Sequence, residues 1–420
     1  MKKMCTRFGW AVILLLLSTR FTIAQPYDMV IKNATVVDPK NNIQEILDVA
    51  IHDGKIARVE RSIDPGDNGQ VIDAAGLYLV PGIIDMHVHV FHGTEPDAYI
   101  SNSFTSVPPD AFSFRSGVTT VVDAGSAGWR NFDIFKSQTI DGSETRVLAF
   151  LNIVGYGMKG GQVEQNLMDM DAEQTAYMAN KYADLIVGVK VAHYSGPEWD
   201  PVERAVKAGT IADIPVMIDF GGHMPELSLE TLLMEKLRPG DIFTHAFAHV
   251  RGRTPIVDES SRVRPFVRAA RQRGIIFDVG HGGGSFLFEQ AIPALDQGFR
   301  PNAISTDLHT GSMNGGMKDM LNVMSKFLNM NVSFPEIIAQ STWYPAQCIK
   351  REDLGHLSVD AVADLALIKI EEGEFGYIDT GGHKIKGNQK LVCELTLREG
   401  NVVWDLNGIS RPEWGKNNEQ

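Results

Sequence analysis

The chain has 420 residues, of which 44% are hydrophobic and 22% charged, a composition typical of a folded globular protein and not of a disordered or coiled-coil chain. This length allows a large domain together with a smaller accessory domain. The formal net charge of −13 argues against nucleic-acid binding, because neutralising a phosphate backbone requires clustered lysine and arginine. We therefore expect a small molecule as the partner, and a homo-oligomer is compatible with the composition.

The first segment of the chain differs in kind from the rest. Lys2 and Lys3 precede an apolar run at residues 10–17, and small residues follow up to Ala24. This order is typical of a secretory signal peptide, and the run is too short for a membrane span of about 20 residues. Residues 1–24 are therefore predicted to be a cleaved signal, leaving a periplasmic or extracellular protein with no stable membrane span. An uncleaved membrane anchor is the alternative interpretation.

Two cysteines, Cys348 and Cys393, follow the predicted signal. They are far apart and form no CxxC spacing, so neither a disulfide framework nor a thiolate zinc site nor a redox pair is indicated. We expect both to be small buried side chains.

Both ends of the mature chain carry short β-branched runs separated by turns. Residues 25–80 contain the turn Asp53-Gly54, and residues 355–420 contain the turn Glu399-Gly400. Such runs joined by glycine turns are typical of β-hairpins. We expect the two ends to build one small β-sandwich domain.

Residues 81–354 alternate apolar strand-like runs with helical stretches, the pattern of parallel βαβ units. Eight such runs can be counted, at residues 83–89, 119–125, 147–154, 185–193, 215–223, 241–247, 274–282 and 303–309. Eight strands predict a (β/α)8 barrel of the TIM type, in which the chemistry lies at the carboxyl ends of the strands. Every run except the third carries an ionisable residue near its end. Because buried charges are costly unless paired or bound to metal, this arrangement predicts a shared polar site.

The first run ends in His87-Val88-His89. Side chains alternate along a strand, so both imidazoles point to the same side. Imidazole suits zinc and similar ions, and Asp307 at the end of the eighth run supplies a carboxylate for an open, catalytic type of coordination. An HxH pair alone is a weak signal, but its combination with Asp307 predicts a divalent metal site, most simply of zinc.

These segments resemble the amidohydrolase superfamily, through PGIIDMHVH, Lys190 in GVKVAH, His245 in FTHAF and Asp307 in STDLH. The segments VVDAGSAG, DVGHGGGSF and ISTDLHTGSMN resemble more narrowly its dihydroorotase-like deacetylase branch, and the likeness spans roughly residues 27–406. The resemblance implies two ions: one bound by His87, His89 and Asp307, the other by His245 and a ligand from the fifth strand.

The resemblance also implies that Lys190 bridges the two ions as a carboxylated lysine. A free ammonium could not, because it has no lone pair. The alternative is an ordinary lysine in an ion pair with a carboxylate.

The fifth run departs from the family pattern. Asp219 stands where the related enzymes usually place histidine, and His223 follows four residues later. Asp219 can bind a divalent cation through oxygen, so it is the preferred ligand and His223 the reserve candidate. If neither binds, the protein works with one ion and Asp219 orients another ligand.

The implied activity is metal-dependent hydrolysis of an acyl C–N bond or an ester, and more specifically deacetylation of a small N-acyl or O-acyl substrate. The metal would activate a water, and Asp307 would serve as both ligand and proton shuttle. Cyclic-amide hydrolysis, as in dihydroorotases and hydantoinases, is the nearest alternative. A non-catalytic metal-binding scaffold is the alternative from another class.

Specificity is expected from loops that follow the strands. His281 opens the segment HGGGSF, whose glycines either bring backbone close to a substrate or form a tight turn. We predict substrate contacts for His281, His309 and His223. His193, just past Lys190, is interpreted as pocket wall, with rim packing as its alternative.

Overall fold

The protein is described here by a computed structural model that covers residues 27–66 and 69–415. The predicted signal peptide, residues 1–24, lies outside the described residues. Two sheets organise the chain, one of eight strands and one of seven. Within the described part of the chain, no helix is both long and apolar enough to cross a membrane.

The strands and helices follow one another in the order expected for a barrel enclosed by two terminal β segments. The strands are β1 (Met29–Asp38), β2 (Ile43–His52), β3 (Lys55–Glu60), β4 (Gln70–Asp73), β5 (Tyr78–Pro81), β6 (Ile83–Val88), β7 (Val118–Gly128), β8 (Arg146–Asn152), β9 (Ile186–Val191), β10 (Val216–Ile218), β11 (Ile242–Phe243), β12 (Ile276–Phe277), β13 (Leu365–Ile378), β14 (Lys384–Arg398) and β15 (Asn401–Asp405). The α-helices are α1 (Phe132–Phe135), α2 (Ala172–Lys181), α3 (Asp200–Ile211), α4 (Leu229–Thr231), α5 (Pro265–Gln272), α6 (Phe288–Asp296), α7 (Thr310–Met313), α8 (Met320–Asn329), α9 (Phe334–Ser341) and α10 (Trp343–Cys348).

The eight-stranded sheet is built from both chain ends, as predicted. Its order is β15-β14-β13-β5-β1-β2-β3, with β4 also paired to β1. The hairpin turns fall at Asp53-Gly54 and Glu399-Gly400, and both turns hydrogen bond to Ala363, whose N–H donates to Gly54 O and whose carbonyl accepts from the Gly400 N–H. The two ends of the sheet therefore meet, and one apolar core with members such as Val49 and Leu395 lies inside it.

The seven-stranded sheet is parallel and pairs β6 to β12 in sequence order. The eighth predicted strand closes the barrel through two isolated parallel bridges, Ala303 to Asp278 and Leu308 to Val88. It forms no continuous ladder because side chains take some of the hydrogen bonds that a ladder would use; the Thr306 N–H, for instance, donates to the Asp85 carboxylate at 3.0 Å. The TIM-type barrel is confirmed, with its last strand reduced to bridges.

The barrel interior is packed at one end. Met86, Phe150 and Met217 on the strands form a buried cluster with Ala346 and Cys348 of α10. Apolar side chains thus fill this end of the barrel. The polar strand ends lie at the opposite, carboxyl end, where barrels of this type have their active sites. Cys348 and Cys393 are both free and buried, which confirms the expectation from their spacing.

The β13–β14 hairpin extends beyond the small domain and packs on the barrel. Asn329 at the end of α8 donates to Gln389 O at 2.7 Å, and the Thr380 N–H donates to Phe286 O at 3.0 Å. The hairpin therefore supports the loop that follows β12.

Asp364 connects the barrel to the small domain at their junction. One carboxylate oxygen accepts from the Arg146 guanidinium, and the other accepts from the Glu399 N–H at 2.8 Å. The Asp364 side chain is only 7% exposed. Removing this carboxylate would leave the mostly buried guanidinium of Arg146, on β8, with only the more distant and more exposed Glu399 carboxylate as an ionic partner, at 3.5 Å.

We expect Asp364→Ala to lower the free energy of unfolding by roughly 2–4 kcal/mol. The substitution breaks a mostly buried charge pair and leaves the Glu399 N–H without its acceptor. Lys207→Ala, which removes an ion pair exposed on both sides, is the matched control and should change stability by less than about 1 kcal/mol. Chemical denaturation of both variants measures the difference. Equal stability of the two variants would contradict the role given to Asp364.

Candidate active site

The barrel end brings His87 and His89 together with Asp307. The Asp307 N–H donates to His87 O at 2.7 Å, which places the eighth segment beside β6. Asp307 Oδ1 lies 3.0 Å from His89 Nε2 and 3.7 Å from His87 Nε2. Both rings are buried. The ligand atoms of the three residues all lie within 4.8 Å of one another, which is compact enough to hold a metal ion.

The hydrogen bonds of His87 fix its tautomer. Thr244 Oγ1 lies 2.9 Å from His87 Nδ1 and donates its single hydrogen to Asp278 Oδ2 at 2.7 Å. Thr244 must therefore accept from the His87 Nδ1–H. Burial is the largest cause that lowers the pKa of His87 well below its ordinary value, so the ring is neutral. His87 Nε2 consequently carries a bare lone pair.

His245 shows the same arrangement as His87. It lies beside the group of His87, His89 and Asp307, and these residues together with His245 are called the centre. His245 Nδ1 lies 2.6 Å from the carbonyl oxygen of Gly280, so Nδ1 is the donor. Its Nε2 lies 3.5 Å from Asp219 Oδ2. The Arg253 guanidinium, which is buried, donates to His245 O at 2.6 Å and holds this stretch of backbone. Asp219 is thus the residue of the fifth strand that reaches the centre.

These contacts test whether the residues fit a divalent cation. His87 Nε2 lies 3.7 Å from Asp307 Oδ1 and 3.2 Å from Lys190 Nζ, and His245 Nε2 lies 3.5 Å from Asp219 Oδ2. A cation placed between these nitrogen and oxygen atoms would be bound by both, and buried polar groups need such a partner. Imidazole nitrogen with carboxylate oxygen is also the donor set that zinc and similar ions take. The residues therefore fit a divalent metal.

Lys190 on β9 is fully buried. It lies between the cluster of His87, His89 and Asp307 and the pair formed by Asp219 and His245. Its Nζ lies 3.2 Å from His87 Nε2 and 3.6 Å from Met217 Sδ, and among the described residues no carboxylate forms an ion pair with it. Burial is the largest cause that lowers the pKa of Lys190, and the nearby carboxylates, Asp219 first, oppose it. The alternative of an ion-paired lysine therefore has no direct contact to support it in the described part of the chain.

Two glycines let these side chains fit. Gly125, at φ +91°, would place a Cβ atom 2.7 Å from the Cβ and Cγ atoms of Lys190. Gly282, at φ +58°, would place one 2.5 Å from Asp307 Oδ2. A side chain at either position would both strain the backbone and displace a centre residue. Gly282, directly after His281, thus brings its backbone against Asp307.

The three predicted substrate contacts end up in different environments. His309 is half-buried, and its ring centroid lies 6.1 Å from that of His89. His223 is buried against Phe220 with its Nδ1 unpartnered. His281 is completely buried, stacks on Phe286 and has its Nε2 2.6 Å from Lys326 Nζ.

The prediction that His281 contacts the substrate is therefore wrong. Its ring points into the protein and is hydrogen bonded to Lys326 there. His309 keeps a position compatible with substrate contact. His223 lies beside Asp219 but faces an apolar neighbour.

Several residues of the centre were given no role, or an undecided one, by the sequence. Three buried aspartates, Asp85, Asp123 and Asp278, accept hydrogen bonds behind the histidines and hold the strand ends. Burial raises the pKa of Asp85 to about 7. The signal for these residues was present, since each one interrupts an apolar strand. The partner of His193, Glu164, lies in a short 3-10 helix, Gly161–Gln165, that the sequence did not predict.

An open cleft of about 690 Å³ adjoins the centre and is lined by Tyr99, Lys159, Glu164 and His193 among others. His193, His245 and Asp307 all have left-handed backbone, with φ of 59°, 55° and 53°. This conformation is uncommon outside glycine and clusters at functional sites. Of these three residues, His193 lines the cleft.

We expect Thr244→Val to weaken metal binding at the first cluster by about 10- to 100-fold, because the His87 Nδ1–H loses the acceptor that orients the ring. Thr244→Ser keeps the hydroxyl and should retain affinity. Competition against a chromophoric chelator measures the dissociation constants. Wild-type affinity in Thr244→Val would show that this hydroxyl does not set the tautomer.

The geometry can be compared with known proteins. No protein-family model matches the chain. A deacetylase of Brucella anthropi is 34% identical over 79% of this chain and 81% of its own length. A solved structure of an adenine deaminase matches 90% of this chain with a TM-score of 0.80 and 28% identity, covering 100% of that chain. A solved dihydroorotase matches 90% of this chain with a TM-score of 0.78 and 29% identity, covering 99% of that chain.

These likenesses extend over most of each chain. The chain therefore belongs to the amidohydrolase superfamily, in its dihydroorotase-like deacetylase branch.

Proposed function

We propose that the protein is a metal-dependent deacetylase that hydrolyses the acyl C–N or C–O bond of a small N-acylated or O-acylated substrate. The observation that carries the proposal is the buried group of His87, His89 and Asp307, whose ligand atoms lie within 4.8 Å of one another. The similarity to a deacetylase over most of the chain supports the acyl substrate.

The ligands divide into two clusters. His87, His89 and Asp307 would hold one ion, Asp219 and His245 a second, with Lys190 between them in a carboxylated form. Carbon dioxide reacts with the uncharged amine of a lysine, and burial lowers the pKa of Lys190 in the direction of that form. Zinc is proposed because the donors are imidazole nitrogens and carboxylate oxygens. When bound, the metal would polarise the substrate carbonyl and supply an activated water.

Asp307 would carry the proton transfers. Its Oδ1 lies toward the two histidines, and its carbonyl accepts from the Ser312 hydroxyl at 2.7 Å, which holds the strained backbone in place. A carboxylate in this position can accept the proton of the attacking water and then deliver it to the leaving amine or alcohol. His309, half-buried beside His89, is placed to contact the substrate.

Cyclic-amide hydrolysis is the second candidate, because a dihydroorotase is among the similar solved structures. It requires the same ligands and differs in the shape of the substrate. Export, proposed from residues 1–24, would place the enzyme where an intracellular pyrimidine precursor is not available. We therefore rank it below deacetylation.

The test is a hydrolysis screen of the metal-loaded protein on N-acetyl amino acids, acetylated hydroxy acids and cyclic amides. We expect turnover of an acetylated compound, with Asp307→Asn reducing kcat by at least about a hundredfold because the proton acceptor is lost. Asp296→Asn, an exposed aspartate on α6, is the matched control and should be unaffected. Removal of metal by a chelator should abolish turnover.

Hydrolysis of cyclic amides alone would favour the second candidate. Bound metal without turnover of any class would indicate a binding scaffold, and undiminished activity in Asp307→Asn would contradict the role of Asp307.

A further inference from the structure

His193 is held in a fixed backbone conformation just past Lys190. Its φ is +59°, and its carbonyl accepts from the Gln165 side chain at 2.8 Å. The Gln165 side chain in turn accepts from the N–H of Ser195 at 3.0 Å. A left-handed histidine persists only where the surroundings hold it. This loop is therefore built to present the His193 ring.

The ring has the same hydrogen-bond pattern as His87 and His245. Its Nδ1 lies 2.7 Å from Glu164 Oε2, and Glu164 is only 1% exposed. Its Nε2 points toward the centre, 3.8 Å from Asp219 Oδ2. A histidine whose one nitrogen donates to a buried carboxylate and whose other nitrogen faces a ligand is typical of metal-binding histidines.

Asp219 is thus approached by two imidazoles. The same oxygen, Oδ2, lies 3.5 Å from His245 Nε2 and 3.8 Å from His193 Nε2. A cation beside this oxygen would satisfy all three groups. His223, the other histidine in the neighbourhood, packs on Phe220 and makes no ion pair with Asp219.

Resting on the proposed metal-dependent function, we propose that His193 is a ligand of the second cation, together with Asp219 and His245. His193 would supply from the loop after β9 the imidazole that the fifth strand lacks, and Glu164 would be its positioning residue.

The proposal requires a movement of the side chain. The ligand atoms of His193, Asp219 and His245 do not all lie within 4.8 Å of one another, whereas two ligands of one ion are at most about 4.2 Å apart, twice a metal–nitrogen distance of about 2.1 Å. The His193 ring must therefore swing toward His245 when the ion binds. The side chain is 38% exposed at the cleft, so it has room to do so.

A proton on Nε2 is the competing explanation for the contact with Asp219. Burial opposes it, but the hydrogen bond and charge of Glu164 and the charge of Asp219 raise the pKa of His193. In that case His193 would form an ion pair and would bind no metal. Metal content separates the two explanations, because an ion-paired histidine would not change the number of ions.

The experiment is to load the full chain and its variants with Zn²⁺ or Mn²⁺ and to measure ions per chain by elemental analysis and coupling between neighbouring Mn²⁺ ions by EPR. We expect two ions and a coupled signal in the wild type and in His223→Ala. His193→Ala should keep one ion, lose the coupled signal and bind the second ion at least about tenfold more weakly. Glu164→Gln should weaken the second ion to a smaller extent.

Two coupled ions with wild-type affinity in His193→Ala would overturn the proposal, and so would a single ion in the wild type. Because His193→Ala could lose the ion through misfolding, Asp219→His is added to it. Recovery of the second ion in this double variant would support the proposal, and failure to recover it in a folded protein would count against it. None of these readouts depends on turnover, so the failure of the deacetylase proposal would be seen separately.

Discussion

The barrel end is organised by one electrostatic constraint: imidazole nitrogens and carboxylate oxygens are brought together in a mostly buried space. His87 and His245 each donate from Nδ1 to an acceptor behind them, Thr244 and the Gly280 carbonyl, and so direct Nε2 toward the carboxylates. Nitrogen and oxygen atoms that are shielded from water are costly unless they have a partner. A bound cation would supply that partner for the nitrogens and the carboxylates together.

Much of the surrounding structure follows from this constraint. Asp278 accepts a hydrogen bond from the Thr244 hydroxyl. It thereby fixes the tautomer of His87 indirectly, through Thr244. The backbone is left-handed at His245 and Asp307, where the side chains must leave the strand direction to reach the centre. The apolar cluster formed with α10 fills the opposite end of the barrel, so the polar groups lie at the carboxyl end of the strands.

The sequence was sufficient for the architecture and for the first cluster because both depend on local patterns. Alternation places His87 and His89 on one side, and parallel strands bring their carboxyl ends, including Asp307, to one edge. The preference for Asp219 over His223 followed the same rule. The sequence did not predict that the eighth strand would be reduced to isolated bridges. That outcome depends on the Thr306 N–H donating to the Asp85 carboxylate, which lies 221 residues away in the chain.

The orientation of His281 could not be predicted because its partner, Lys326, lies on a helix 45 residues later. The environment of His193 likewise depends on Glu164, from a short 3-10 helix whose sequence shows no recognisable pattern.

The most direct test of the central claim is anomalous diffraction from crystals of the protein as purified, recorded at the absorption edges of zinc and neighbouring metals. We expect a strong peak about 2.0–2.2 Å from the Nε2 atoms of His87 and His89 and from the Asp307 carboxylate. Water or empty space at that position, with metal present in the crystal solution, would contradict the claim, because the three residues would then bind no ion.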